Sequence, residues 1–254
     1  MTRIALTIAG SDGSGGAGIQ ADLKTFHTHG VHGLSVITSV TAQNSRGIVK
    51  AFDLPPAFVE AQLEALFADF KIIAVKTGML STAAIINAVF NVLKRQNARK
   101  LVVDPAMISK SGFRLLKRDA TQQLKKTLLP LALLVTPNVP EAEVLSGVKI
   151  DSPKAMREAA LETHKLGPMV LIKGGHAKFQ PGIDLFYDGK RFHEIKGKYF
   201  ANKTPHGTGC VYSAAVTALL AQGTPLLEAI LEAKTFLEKS MRDLKNVGKG
   251  FPFL

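Results

Sequence analysis

The 254-residue sequence predicts an open α/β fold, a mostly parallel sheet covered by helices on both faces. Three observations carry this. Short apolar β-rich runs alternate with helical spacings from end to end, which is the pattern of successive strand–helix crossovers. Near 184–195 that rhythm gives way to Leu185-Phe186-Tyr187, Asp188-Gly189 and Arg191-Phe192-His193, a hairpin signal that predicts an antiparallel edge. No linker, repeat or low-complexity stretch divides the chain, so residues 1–254 are expected to form a single domain.

Taken in order, Arg3 to Ala9 reads as a buried strand, and Ile19, Leu23 and Phe26 follow at helical spacing. Leu34 to Thr41 is the next strand. After Pro55-Pro56, Val59, Leu63, Leu66 and Phe70 form one apolar helix face. Ile72 to Lys76 is again a strand, with Ser81 expected to cap the helix that carries Ile85, Val89 and Leu93. Further strands are expected at Leu101–Asp104, Leu131–Thr136 and Met169–Lys173. Asp151 and Pro153 open a helix that Gly167 closes, and two last helices start near Thr208 and Pro225.

Composition narrows the function classes. Hydrophobic residues make up 46% of the chain, enough for a sizeable core. No stretch approaches the roughly 20 apolar residues of a membrane span. Met1-Thr2-Arg3 leads straight into a strand without a signal-peptide pattern, and Cys210 is the one cysteine, so a cytoplasmic location is expected. The net charge of +12 comes from lysines scattered along helices and tail, without arginine runs or interleaved aromatics. It predicts a solvated basic surface, neither nucleic acid nor membrane being an expected partner.

The loop Gly10-Ser11-Asp12-Gly13-Ser14-Gly15-Gly16-Ala17-Gly18 contains G-x-G-x-x-G between a strand and a helix, as a dinucleotide-binding oxidoreductase would. Such a fold expects a carboxylate at the end of its second strand to hold the ribose. Here that place reads Val40-Thr41-Ala42-Gln43-Asn44, so the reading stays a remote alternative. No G-x-x-x-x-G-K-[ST] sequence is present either. His27, His29 and His32 fall at a helix end, where imidazoles complement the dipole, and are not expected to bind metal.

Pro205-His206-Gly207-Thr208-Gly209-Cys210 is the most informative stretch. Its glycines let backbone N–H groups turn inward, and the following helix points its positive end at the same spot: an anion cradle for a phosphoryl group in transfer. Cys210, in the first turn, is expected to have its pKa lowered toward neutrality and to take a proton from a substrate hydroxyl. Asp104, Asn138 and Glu141, beyond two strand ends, are candidates to hold a magnesium ion, directly or through water. Lys173, followed by Gly174-Gly175-His176, places a cation at a strand end where nucleotide phosphates would lie.

Seven segments together resemble the hydroxymethylpyrimidine/phosphomethylpyrimidine kinases of thiamine biosynthesis, within the ribokinase-like superfamily. They are Leu6–Asp12 with Gly15–Lys24, Thr41–Asn44, Lys76–Leu80, Val103–Pro105, Thr136–Asn138, Lys173–His176 and His206–Cys210, in family order over nearly the whole chain. The resemblance implies a ribokinase-like three-layer sandwich. It also implies ATP-dependent phosphorylation of 4-amino-5-hydroxymethyl-2-methylpyrimidine and then of its monophosphate, with Mg2+. It makes Cys210 the base and gives the anion hole to Gly207, Thr208 and Gly209. Gln43, Asp22, Gly10, Ala17 and Met79 would bind the pyrimidine. Asn138, Lys173 and Thr208 would bind the nucleotide, and Asp104 and Glu141 the metal. Relatives are commonly homodimers, and some phosphorylate pyridoxal, which is the alternative substrate. The chain departs from the family at Thr204-Pro205, at Val211 and in its short tail, Gly248 to Leu254.

Overall fold

The computed structural model describes residues 2–175, 177, 179–200 and 205–254. One nine-stranded sheet runs through it in the order β3-β2-β1-β4-β5-β6-β7-β8-β9. The strands are β1 (Ile4–Asp12), β2 (His32–Asn44), β3 (Gly47–Asp53), β4 (Ala74–Thr77), β5 (Leu101–Val103), β6 (Leu134–Val135), β7 (Met169–Ile172), β8 (Asp184–Tyr187) and β9 (Phe192–Ile195). From β2 through β7 neighbouring strands are parallel. The expected β8–β9 hairpin forms one antiparallel edge. A second antiparallel edge, β3 on β2, corrects the expectation of a single one.

Alternate residues of the central strands feed two separate cores, as the period of two requires. Leu6, Val103, Val135 and Val170 face one, packed under α2 (Pro56–Asp69), α3 (Ala83–Arg95), α4 (Arg118–Lys126), α5 (Leu128–Leu131), α6 (Val139–Ser146) and α7 (Pro153–His164). Ala5, Val102, Leu134 and Leu171 face the other, under α1 (Gly18–Thr28), α8 (Thr208–Gln222) and α9 (Leu226–Arg242). Helix α8 is buried along most of its length, which explains its run of Ala, Val and Leu.

Two caps differ from expectation. Thr82, not Ser81, caps α3 by accepting from the Ile85 N–H, while the Ser81 hydroxyl donates to Asp53. Ser152 rather than Asp151 caps α7. His29 caps the end of α1, and His32 stacks on Phe70.

The order β2-β1-β4 reverses direction between β1 and β4. In an open parallel sheet such a reversal opens a crevice beyond the carboxyl ends of the strands. Asp12, Gln43, Met79, Asp104, Asn138 and Lys173 all lie at or just beyond those ends.

Candidate active site

The glycine loop after β1 is organised by its own aspartate. Asp12 Oδ1 accepts from the Ser14 N–H at 2.9 Å and its hydroxyl at 2.6 Å; Oδ2 accepts from the N–H groups of Gly16 at 3.2 Å and Ala17 at 2.8 Å. Burial works against ionising Asp12, but the bonds from His206 and Ser14 outweigh it and hold the carboxyl below its ordinary range. The amides a dinucleotide pyrophosphate would need are thus spent inside the loop. Gly18 has φ +56°, and a Cβ there would strike the Gly10 carbonyl, so the loop closes tightly on β1.

Around this loop the structure gathers four of the five residues expected to bind a pyrimidine. Gly10 packs on Met79, Ala17 lies against Gly207, and the Gln43 carboxamide reaches His206 Nε2 at 2.6 Å and Thr41 Oγ1 at 3.2 Å. Asp22 is the exception. It is 0% exposed, accepts from Thr7 at 2.6 Å, and grips the equally buried Lys76 at 2.6 and 2.7 Å. Its carboxylate is thus spent on Thr7 and Lys76 rather than presented at the surface.

Gly207, with φ +81°, caps α8, and a Cβ on it would run into the Gly16 carbonyl. The two glycine turns thus meet directly. Cys210 stands in the first turn of α8, with the Gly18 N–H donating to its sulfur. The expected lowering of its pKa is overturned. Burial pushes the thiol up to about 11, although Lys76 and the Gly18 N–H pull the other way. Cys210 is half-buried by surface, and the charges of two nearby carboxylates, Asp22 and Asp104, act in the same direction as desolvation.

The other half of the crevice holds the remaining charges. Lys173 pairs with Asp104 at 3.2 Å, and Ser213 donates to the other Asp104 oxygen at 3.3 Å. Glu141 and Asn138 form a capping box at the start of α6, and Glu141 also accepts from the Met107 N–H at 3.1 Å. Burial raises the Glu141 pKa, Lys173 lowers it, and Asp104 raises it again. A Cβ on Gly209 would sit 3.2 Å from the Lys173 ammonium, so this cation faces the first turn of α8. Asn138, Lys173, Thr208, Gly209 and Tyr212 help line a cleft of about 240 Å³ beside it. An anion at the α8 N-terminus would meet Lys173 on one side and the glycine loop on the other.

Residues 12–253 match the family model described as phosphomethylpyrimidine kinase. The chain belongs to the phosphomethylpyrimidine kinase family. It is 48% identical over 246 residues to the thiamine biosynthesis bifunctional protein ThiED of Geobacter sulfurreducens, covering 96% of this chain but only 50% of that protein. The hydroxymethylpyrimidine/phosphomethylpyrimidine kinase of Aquifex aeolicus is 43% identical over 99% of both chains. Among solved structures, phosphomethylpyrimidine kinase from Clostridium difficile 630 aligns with a TM-score of 0.84 at 44% identity, over 94% of this chain and 99% of that one. An ADP complex of Bacillus subtilis pyridoxal kinase aligns at 0.91 and 36% identity, over 100% and 96%. The fold is the ribokinase-like one that the ordered motifs implied.

The contacts also bring in residues that no motif assigns to the site by itself. Lys76 closes an apolar strand and is fully buried; a lysine in that position demands a buried carboxylate, and Asp22 supplies it. Burial alone would lower the Lys76 pKa, but Asp22, Cys210 and Asp104 hold it above the ordinary lysine value. Asp12 and His206 stand in the glycine-loop and His-Gly-Thr-Gly-Cys motifs, and their mutual contact at 3.2 Å gives them a task that sequence position alone does not. Of the departures, Pro205 is buried with its carbonyl accepting from Lys110 at 3.0 Å, and Val211 is buried in α8. His176 and Thr204 lie outside the described residues.

Proposed function

We infer that this chain phosphorylates 4-amino-5-hydroxymethyl-2-methylpyrimidine, and then the resulting monophosphate, with ATP as donor, to supply the diphosphate for thiamine assembly. Residues 1–254 act together as one kinase domain. The observation that carries this reading is the meeting of the two glycine turns. It brings the Gly18 N–H onto the Cys210 sulfur and opens the α8 N-terminus onto the Lys173 cleft, which supports Cys210 as the base between acceptor and nucleotide.

In the first step the substrate hydroxyl oxygen attacks the γ-phosphorus while the bond from phosphorus to the β–γ bridging oxygen breaks, releasing ADP. Cys210 accepts the hydroxyl proton. The N–H groups of Gly207, Thr208 and Gly209, with the α8 dipole, stabilise the charge on the transferring group. Lys173, Asn138 and Thr208 hold the nucleotide phosphates. In the second step the acceptor is a phosphate oxygen already ionised at neutral pH, so little base help is needed. Gln43 reads the aminopyrimidine edge, with Gly10, Ala17 and Met79 around the ring.

Asp104 and Glu141 share one cation, Lys173, and so keep a net negative charge that suits a divalent ion. Their lone pairs are partly engaged, which favours holding Mg2+ through water and phosphate oxygens. When bound, Mg2+ neutralises charge on the β- and γ-phosphates.

Mass analysis of products after incubation with the alcohol, ATP and Mg2+ tests the reading: mono- and diphosphate should appear in sequence. Cys210→Ala should damage the first phosphorylation more than the second, and equal loss of both would overturn the assigned roles. The likeness to pyridoxal kinase, over the whole chain, supports pyridoxal as the second candidate acceptor. Its kcat/KM beside that of the pyrimidine alcohol decides between them. A cytoplasmic location, where ATP is plentiful, belongs to the same reading. So does a homodimer: Val49 and Phe52 on the edge strand β3 and the nearby Phe58 are exposed. Sedimentation of Phe52→Asp against the parent chain would show whether that face joins two copies.

A further inference from the structure

We propose that His206 is a positioning residue that fixes the orientation of the Gln43 carboxamide and thereby makes the acceptor pocket select an amino group over an oxo group at ring position 4. This rests on the reading of Gln43 as the residue that meets the ring edge.

Two hydrogen-bond constraints converge on the Gln43 amide. Asp12 is an ionised carboxylate that can only accept, and its Oδ2 lies 3.2 Å from His206 Nε2, so that nitrogen carries the hydrogen. The structure sets Gln43 Nε2 2.6 Å from that nitrogen, donor against donor, so the two amide ends are exchanged and the carbonyl oxygen is assigned to face His206. Independently, Thr41 has a single hydroxyl proton and gives it to the Ser11 carbonyl at 2.7 Å. The other end, set as Oε1 3.2 Å from Thr41 Oγ1, then finds no proton to accept, so the same exchange makes it the NH2 group, donating to Thr41. Amide orientation is settled by such a network, and here both ends give the same answer.

The network leaves one carbonyl lone pair and one amide N–H for a ligand. A 4-aminopyrimidine edge supplies the matching donor and ring-nitrogen acceptor. A 4-oxo ring, with an N–H beside a carbonyl, presents the reverse order. To bind it, Gln43 would have to turn over and set its NH2 against the His206 N–H, losing both anchoring bonds. The imidazole is itself held from outside. The main-chain N–H of His206 donates to the Pro252 carbonyl at 2.9 Å, and the Phe253 ring meets the imidazole edge-on at 6.3 Å between centroids. The tail that carries these residues is pinned to the end of β2, where the Phe251 and Gly250 N–H groups donate to Ser45 at 2.8 and 3.0 Å. The short tail therefore serves as a backing for the specificity network.

The test compares kcat/KM for the 4-amino alcohol with that for its 4-oxo analogue, at saturating ATP. The parent chain should prefer the amino compound by about a thousandfold or more, as sites built to pair a polar edge do. His206→Leu, which removes the donor, should cut that ratio at least about tenfold while KM for ATP stays the same. His206→Gln, which restores an N–H, should keep the ratio within about threefold of the parent. Equal losses on both substrates in His206→Leu, or no rescue by His206→Gln, would overturn the proposal while leaving the kinase reading intact. If His206→Leu does not fold, the ratio is read in Phe253→Ala, where a fall is expected and an unchanged ratio counts against it. A parent chain that phosphorylates neither alcohol would sink the kinase reading and this inference with it.

Discussion

The Cys210 thiol gives the sharpest quantitative test. Its burial pushes its pKa to about 11, although it sits in the first turn of a helix and near Lys76. If a thiolate accepts the hydroxyl proton, the active form grows as pH rises, tenfold per unit, until the pKa is reached. At pH 7.5 only about 3 in 10,000 sites would be ionised, and at pH 9.5 about 3 in 100. The first phosphorylation should therefore speed up by about a hundredfold over that interval. The second should stay nearly flat, because a phosphate monoester with a second pKa near 6 is already ionised. Single-turnover rates for the alcohol and for its monophosphate, measured from pH 6.5 to 10 at saturating ATP and Mg2+, separate the two. A first-step profile that levels off below pH 9 would refute the reasoning, because the helix end and Lys76 would then outweigh burial. A second step that climbs in parallel would refute the different roles assigned to the base.

Three further outcomes follow from packing. Lys76→Met leaves Asp22 buried and unpaired, which should cost about 3–5 kcal/mol and lower Tm by roughly 6–20 °C in calorimetry. Adding Asp22→Leu should recover much of that loss. Gly207→Ala forces a side chain into φ +81° and against the Gly16 carbonyl, so it should shift the anion hole and cut kcat about a hundredfold in steady-state assays. Gly15→Ala is milder: its φ of +78° costs about 1 kcal/mol, and its Cβ meets only the flexible end of Lys24. It should raise KM for the pyrimidine alcohol and leave KM for ATP nearly unchanged; the reverse would return the loop to nucleotide binding.

What the sequence determined by itself was local. Apolar runs of period two and helix faces of period 3.6 placed the parallel strands and their crossovers, since each depends on a few adjacent residues. Strand ends then located Asp104 and Lys173, because parallel sheets present ligand-binding residues there, whereas Gln43 and Met79 were reached through the ordered motifs of the family. The strand Gly47–Asp53 was not legible: Val49 and Phe52 are exposed, so no core-facing pattern marks it, and only pairing with β2 makes it a strand. The same holds within the site. Asp22 meets Lys76 across 54 positions, and Gln43 meets His206 across 163. Asp12 turns the loop amides inward, so a dinucleotide-like spacing has no phosphate to hold. For Cys210 the sequence supplied the helix end, which lowers a thiol pKa, but desolvation depends on what surrounds the sulfur in space. Tertiary structure decided that sign, because burial sums over neighbours from the whole chain while a helix end is written in a single turn.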